Sequence, residues 1–85
     1  MKEFTYTVKD ELGIHARPAG NLVKEAKNYK SIITIDNGTK KAEATKLMAV
    51  MALGVKCNQT VTVTAEGEDE DAAINGMQSF FENNL

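Results

Sequence analysis

Apolar residues that alternate with polar ones in some segments, and recur every three or four positions in others, predict a two-layer α+β sandwich of order β-α-β-β-α-β-α. Phe4 to Val8 and Thr60 to Thr64 carry the alternating pattern, while Ala16 to Tyr29 and Ala72 to Phe81 carry the helical one. Strands that alternate in this way bury one face only, so the helices must cover that face.

Each element has its own signal. Phe4-Thr5-Tyr6-Thr7-Val8 reads as a half-buried strand, followed by a loop over Asp10 to Gly13. Ala16, Ala19, Leu22, Val23, Ala26 and Tyr29 then form the apolar face of a helix, with Arg17, Gly20, Asn21, Lys24 and Lys27 on the other. Ile32-Ile33-Thr34-Ile35 is a β-branched strand, and Asn37-Gly38 signals a hairpin. Lys40 to Ala44 is the expected return strand. Lys46 to Leu53 reads as a short helix ended by Gly54. The strand Thr60 to Thr64 follows. Ala72, Ala73, Ile74, Met77, Phe80 and Phe81 line a final amphipathic helix. The acidic run Glu66-Gly67-Glu68-Asp69-Glu70-Asp71 precedes it, where carboxylates are expected to cap free N–H groups and favour the dipole.

Composition narrows the function. A chain of 85 residues is read as one domain, residues 1–85, with room for one core but not for a deep substrate cleft as well. That favours a binding or carrier module over a self-contained enzyme. A net charge of -2 argues against a nucleic-acid surface. No apolar run is long enough for a membrane span and no signal-peptide core is present, so no membrane insertion and a cytoplasmic location are expected. Cys57 stands alone, which excludes an internal disulfide and a cysteine cage for a metal; a thiol beside a turn is expected.

Gly13-Ile14-His15-Ala16-Arg17-Pro18-Ala19 carries the chemistry. It places the only histidine at the start of a helix. Pro18 suits the first turn, where its missing N–H has no intrahelical acceptor to lose. The remaining free N–H groups lie at the positive end of the helix dipole, a ready anion site. The guanidinium of Arg17 makes paired hydrogen bonds to phosphate oxygens. A neutral imidazole is a good nucleophile near pH 7. The dipole contributes only about 0.3–1 kcal/mol at an exposed site, which suits a carrier that must release its cargo. On residues alone, a lone histidine at a helix start is more often structural than functional. A hydrolytic triad has no serine in a nucleophile elbow to support it, and one histidine is a poor zinc site.

The same stretch resembles the active-site signature of the HPr family, the histidine-containing phosphocarriers of the bacterial sugar phosphotransferase system. Leu47-Met48-Ala49-Val50-Met51-Ala52-Leu53-Gly54 is similar to the family's short second helix, and the element order fits along nearly the whole chain. The resemblance implies an open-faced β-sandwich, a four-stranded antiparallel sheet covered on one face by three helices. It implies that His15 accepts a phosphoryl group from enzyme I through Nδ1 and passes it to IIA domains of sugar permeases. Arg17, with the backbone at Ala16, Arg17 and Pro18, would steady the phosphate. Leu47, Met48 and Met51 would form an apolar docking patch, rimmed by Gly20, Lys24, Lys27 and Lys46. No cofactor or metal is implied, and the expected state is a monomeric carrier forming a phosphohistidine.

Two positions depart from the family. Many of its Gram-positive members carry a regulatory serine where this chain has Lys46, which has no hydroxyl; Thr45 is adjacent. Gly20 stands where the family often has threonine or serine. The sequence therefore leaves open a specialised paralogue with other partners, or a regulatory module without the kinase switch. RNA binding on the sheet is weakly supported, because the aromatic-rich RNA motif is absent.

Overall fold

β-Branched and aromatic residues on alternate positions build four strands, and the computed structural model, which describes residues 1–85, pairs all of them antiparallel. The strands are β1 (Lys2–Thr7), β2 (Ile32–Asp36), β3 (Lys41–Glu43) and β4 (Thr60–Glu66), and the sheet order is β1-β4-β2-β3. The helices are α1 (Ala16–Ala26), α2 (Leu47–Ala52) and α3 (Glu70–Asn84). The element order is the expected β-α-β-β-α-β-α, and the arrangement is the open-faced sandwich.

The alternation decides which face is covered. Phe4, Ile33, Ile35, Ala42, Val61, Val63 and Ala65 are buried, whereas Thr5, Thr34, Asp36, Thr62 and Thr64 occupy the opposite, open face. α1 contributes Ala19, Leu22, Val23 and Ala26 to the core, and α3 contributes Ala73, Ile74, Met77 and Phe81. The Phe81 ring meets Phe4 and Tyr6 edge-on, each at 5.6 Å between centroids, which pins α3 to β1.

Three local expectations are corrected. Ala16 and Ala72 fit the apolar periodicity but are exposed, while the buried faces of α1 and α3 begin at Pro18 and Ala73. The hairpin expected at Asn37-Gly38 forms, with a four-residue loop. Asp36 pairs with Lys41, so residues 37–40 form the loop. The Asn37 side-chain oxygen accepts the N–H groups of Thr39 and Lys40 (3.0 and 2.8 Å), and only Gly38 takes a positive φ.

A further correction concerns the acidic run: Glu70 and Asp71 do lie in the first turn of α3, where the dipole favours them, but no carboxylate caps the helix. Asp69 stands at the N-cap without a side-chain cap bond. Its carboxylate reaches across to the start of β2 and accepts Lys30 N–H (2.8 Å), Ser31 N–H (2.9 Å) and the Ser31 hydroxyl. The Ser31 hydroxyl, and then the Lys30 amide, hold the Asp69 carboxyl below the usual carboxylate range. Glu70 Oε1 meets the N–H of Gly67, outside the helix.

α2 ends as expected. Leu53 is its C-cap, and Gly54 follows in the left-handed region at φ 61°. Cys57 sits in the next turn, with Sγ 3.7 Å from the Lys9 carbonyl. No helix is long and apolar enough to cross a membrane.

Candidate phosphate site at the start of the first helix

The loop between β1 and α1 is held at both ends. Lys9 and Asp10 donate their N–H groups to the backbone oxygen of Leu85, at 2.6 and 2.8 Å. Asp10 Oδ1 accepts the Leu12 N–H (2.9 Å), and the Asp10 carbonyl accepts the Gly13 N–H (2.9 Å). Gly13 then turns the chain at φ 70°, and a Cβ there would strike the Val55 carbonyl oxygen and come within 2.7 Å of Lys56 Cα. Only glycine satisfies both demands. Ile14 continues the contact by donating to the Val55 carbonyl at 3.0 Å. The segment leaving α2 thus runs beside the loop that delivers His15.

His15 is the N-cap of α1, with extended backbone (φ -93°, ψ -179°) and no side-chain capping bond. Its ring is therefore not spent on the helix. The first helical hydrogen bond joins the Ala19 N–H to the His15 carbonyl at 2.9 Å. Pro18 has no N–H, so the donors left at this helix end are those of Ala16 and Arg17. No acidic residue occupies the first turn, so no carboxylate of α1 competes for those donors or for the dipole.

His15, Arg17 and Pro18 line one groove together with Asp10, Asn21 and Asn84. The His15 ring is 34% exposed, partly shielded yet reachable. Its Nε2 lies 3.5 Å from Asp10 Oδ2. The arrangement offers a nucleophilic ring, a guanidinium and two backbone donors to an oxyanion, with no hydrophobic lining to exclude water.

The expected docking residues lie outside this groove. Gly20, Lys24 and Lys27 follow Arg17 along one stripe of α1, and both lysines are exposed. Lys46 is the exposed N-cap of α2. Leu47, Met48 and Met51 are 39%, 78% and 39% exposed, while Val50 on the same helix is buried. One helix of six residues thus packs Val50, with Ala49 beside it, on the core and leaves Leu47, Met48 and Met51 exposed. Asp10, Asn21 and Asn84 were not singled out from the sequence as site residues. Asp10 had a signal, an acid five residues before His15 in a loop that Gly13 turns; Asn84 is brought in by the end of a distant helix.

The family model described as the PTS HPr component phosphorylation site matches residues 2–83. The chain belongs to the HPr family. It is 38% identical over 78 residues to the phosphocarrier protein HPr of Mycoplasma capricolum, covering 92% of this chain and 88% of that one. It is 42% identical over 84 residues to the multiphosphoryl transfer protein of Haemophilus influenzae; this covers 95% of the chain but spans only 17% of that relative. The crystal structure of HPr-C-His from Thermoanaerobacter tengcongensis superposes with a TM-score of 0.93 at 38% identity, covering 98% of this chain and 93% of that one. A dimeric form of that HPr superposes at 0.77, covering 98% and 95%. As an HPr-family chain, the molecule is a phosphocarrier of the phosphotransferase system.

Proposed function

We propose that His15 accepts a phosphoryl group from phosphorylated enzyme I and hands it to IIA domains of sugar permeases. The observation that carries this reading is the helix start itself, where the one histidine and Arg17 line one solvent-open groove and the N–H groups of Ala16 and Arg17 are left without intrahelical acceptors. On forward transfer the His15 Nδ1 lone pair forms a bond to phosphorus as the donor's nitrogen–phosphorus bond breaks and its electron pair returns to the donor ring. The return step to the acceptor reverses the roles. Charge spread over the phosphoryl oxygens is met by Arg17 and the two amides, so the protein's part is positioning and electrostatics. Open solvation keeps these contacts weak, which suits a cargo that moves both ways.

Leu47, Met48 and Met51 form the docking patch in this reading. Methionine side chains adapt to differently shaped partners, which suits one carrier serving several. Exposed Lys24, Lys27 and Lys46 add positive charge that favours acidic partner surfaces. In this reading the carrier works as a monomer. Sedimentation at working concentration checks this against the dimer seen in the Thermoanaerobacter relative.

A second reading has its own support. Lys46 offers no hydroxyl to a serine kinase, and the module in the Haemophilus multiphosphoryl transfer protein is 42% identical. A specialised paralogue, dedicated to one enzyme I or IIA and free of the kinase switch, fits both facts. Relay of label from phosphoenolpyruvate through enzyme I to a panel of IIA domains separates the readings. Transfer to many acceptors supports the general carrier, transfer to one supports the specialised form, and no labelling of the chain contradicts both.

A further inference from the structure

We propose that Asp10 is a positioning residue for His15, accepting the Nε2–H of the imidazole so that the lone pair stays on Nδ1. The proposal rests on the phosphocarrier reading above and extends it to a residue outside the signature stretch.

The geometry places the two groups side by side, slightly farther apart than in a formed hydrogen bond. Asp10 Oδ2 lies 3.5 Å from His15 Nε2, and both side chains are partly shielded, at 28% and 34% exposure. The carboxylate does not swing freely. Its other oxygen is occupied by the Leu12 N–H at 2.9 Å. Its backbone is fixed by Leu85 on one side and Gly13 on the other. The second oxygen therefore has one direction to face, and the imidazole is there. The charged groups lining the groove around His15 are Asp10 from the loop and Arg17 from α1; Asn21 and Asn84 are neutral.

A division of labour follows. In a neutral imidazole one nitrogen donates and the other accepts, and the partner of one nitrogen sets the state of the other. A carboxylate at Nε2 holds the proton there. When Nδ1 bonds to phosphorus, the proton remains on Nε2 and the ring becomes cationic. Asp10 stabilises that positive charge while Arg17 and the helix start stabilise the phosphoryl oxygens. The same contact acts when the phosphoryl group leaves, so Asp10 assists both directions.

Asp10→Asn gives a sharp test. Asparagine can keep the Leu12 bond through its oxygen and then turns its amide N–H groups toward Nε2. A donor there favours the tautomer with the proton on Nδ1, which removes the nucleophile. Asp10→Ala merely leaves Nε2 to water. The expected ranking is wild type fastest, Asp10→Ala intermediate and Asp10→Asn slowest. The asparagine variant should lose about tenfold, the lower end of what removing an outer partner does to a metal-bound imidazole. Nitrogen-15 shifts of the ring in the unphosphorylated protein, recorded above its titration, should show Nε2–H in the wild type and a shift toward Nδ1–H in Asp10→Asn. An unchanged tautomer population together with an unchanged transfer rate would overturn the proposal. Because the tautomer is read without any partner, failure of enzyme I to phosphorylate the wild type would strike the phosphocarrier reading alone.

Discussion

At the scale of single residues, the proposed site depends on side chains that the fold does not use for capping or salt bridges within the helix. His15 caps α1 with its backbone and not its ring. Arg17 is exposed and forms no salt bridge within the protein, so its guanidinium is available to an anion. Arg17→Ala should slow transfer in both directions about 10- to 100-fold, below the 10²–10³ typical of a donor in a water-excluded site. It should not abolish transfer, since the amides of Ala16 and Arg17 remain. Rapid-quench kinetics with phosphorylated enzyme I checks this, and unchanged rates would make Arg17 an idle charge. His15 and Arg17 were singled out through the resemblance of Gly13 to Ala19 to the HPr signature, since on residues alone a lone histidine at a helix start is more often structural. Asp10 was not, because its importance depends on a loop geometry fixed by Leu85, some seventy-five residues away.

At the scale of elements, the two short features carry different loads. α2 buries Val50 and exposes Leu47, Met48 and Met51, so its outer face contributes little to stability. Met48→Asp should weaken binding to enzyme I while leaving Tm nearly unchanged; calorimetric titration and thermal melts separate the two, and a large fall in Tm would place Met48 in the core. The packing of α1 on α3 has the opposite character. The Tyr29 hydroxyl donates to Glu25 Oε2 at 2.7 Å, and that bond, reinforced by burial and the charges of Glu25 and Asp69, pushes the phenol up to about 12. A Cβ at Gly76 would fall on the Tyr29 hydroxyl and lie 2.7 Å from its Cζ. Gly76→Ala gains about 1 kcal/mol of helix propensity but crowds Tyr29 at about 1–3 kcal/mol, so a net loss of stability is expected in urea unfolding. Combining it with Tyr29→Ala should remove the clash, and strictly additive effects would show that the two do not touch. Helix and strand identities were legible from periodicity. Gly76 was not, because its close neighbour comes from beyond the end of another helix.

At the scale of the whole molecule, one carboxylate links the layers. Asp69 joins the start of α3 to the residues that open β2, through Lys30 and Ser31. Its carboxyl is lowered, so the contribution is present above the usual value near 3.8 and is lost as pH falls through the depressed folded value. Asp69→Ala should therefore lower Tm at neutral pH, and the gap to wild type should shrink in strong acid. A gap independent of pH would mean that the hydrogen bonds, not the ionised form, carry the effect. The sequence marked this acidic run as a helix cap because such residues commonly serve there; the competing donors at Lys30 and Ser31 become visible only once the sheet is assembled. The open sheet face, rich in threonine, and the covered face were both legible from strict alternation, since a period of two leaves no other assignment.

The central claim is that His15 is the phosphoryl acceptor. The direct measurement is incubation with phosphoenolpyruvate and enzyme I, followed by mass spectrometry and phosphorus NMR of the chain under non-acidic conditions. The account predicts one acid-labile phosphoryl group, on Nδ1 of His15, absent from a folded His15→Ala variant. A phosphoryl group on any other residue, or labelling that persists in His15→Ala, would contradict it.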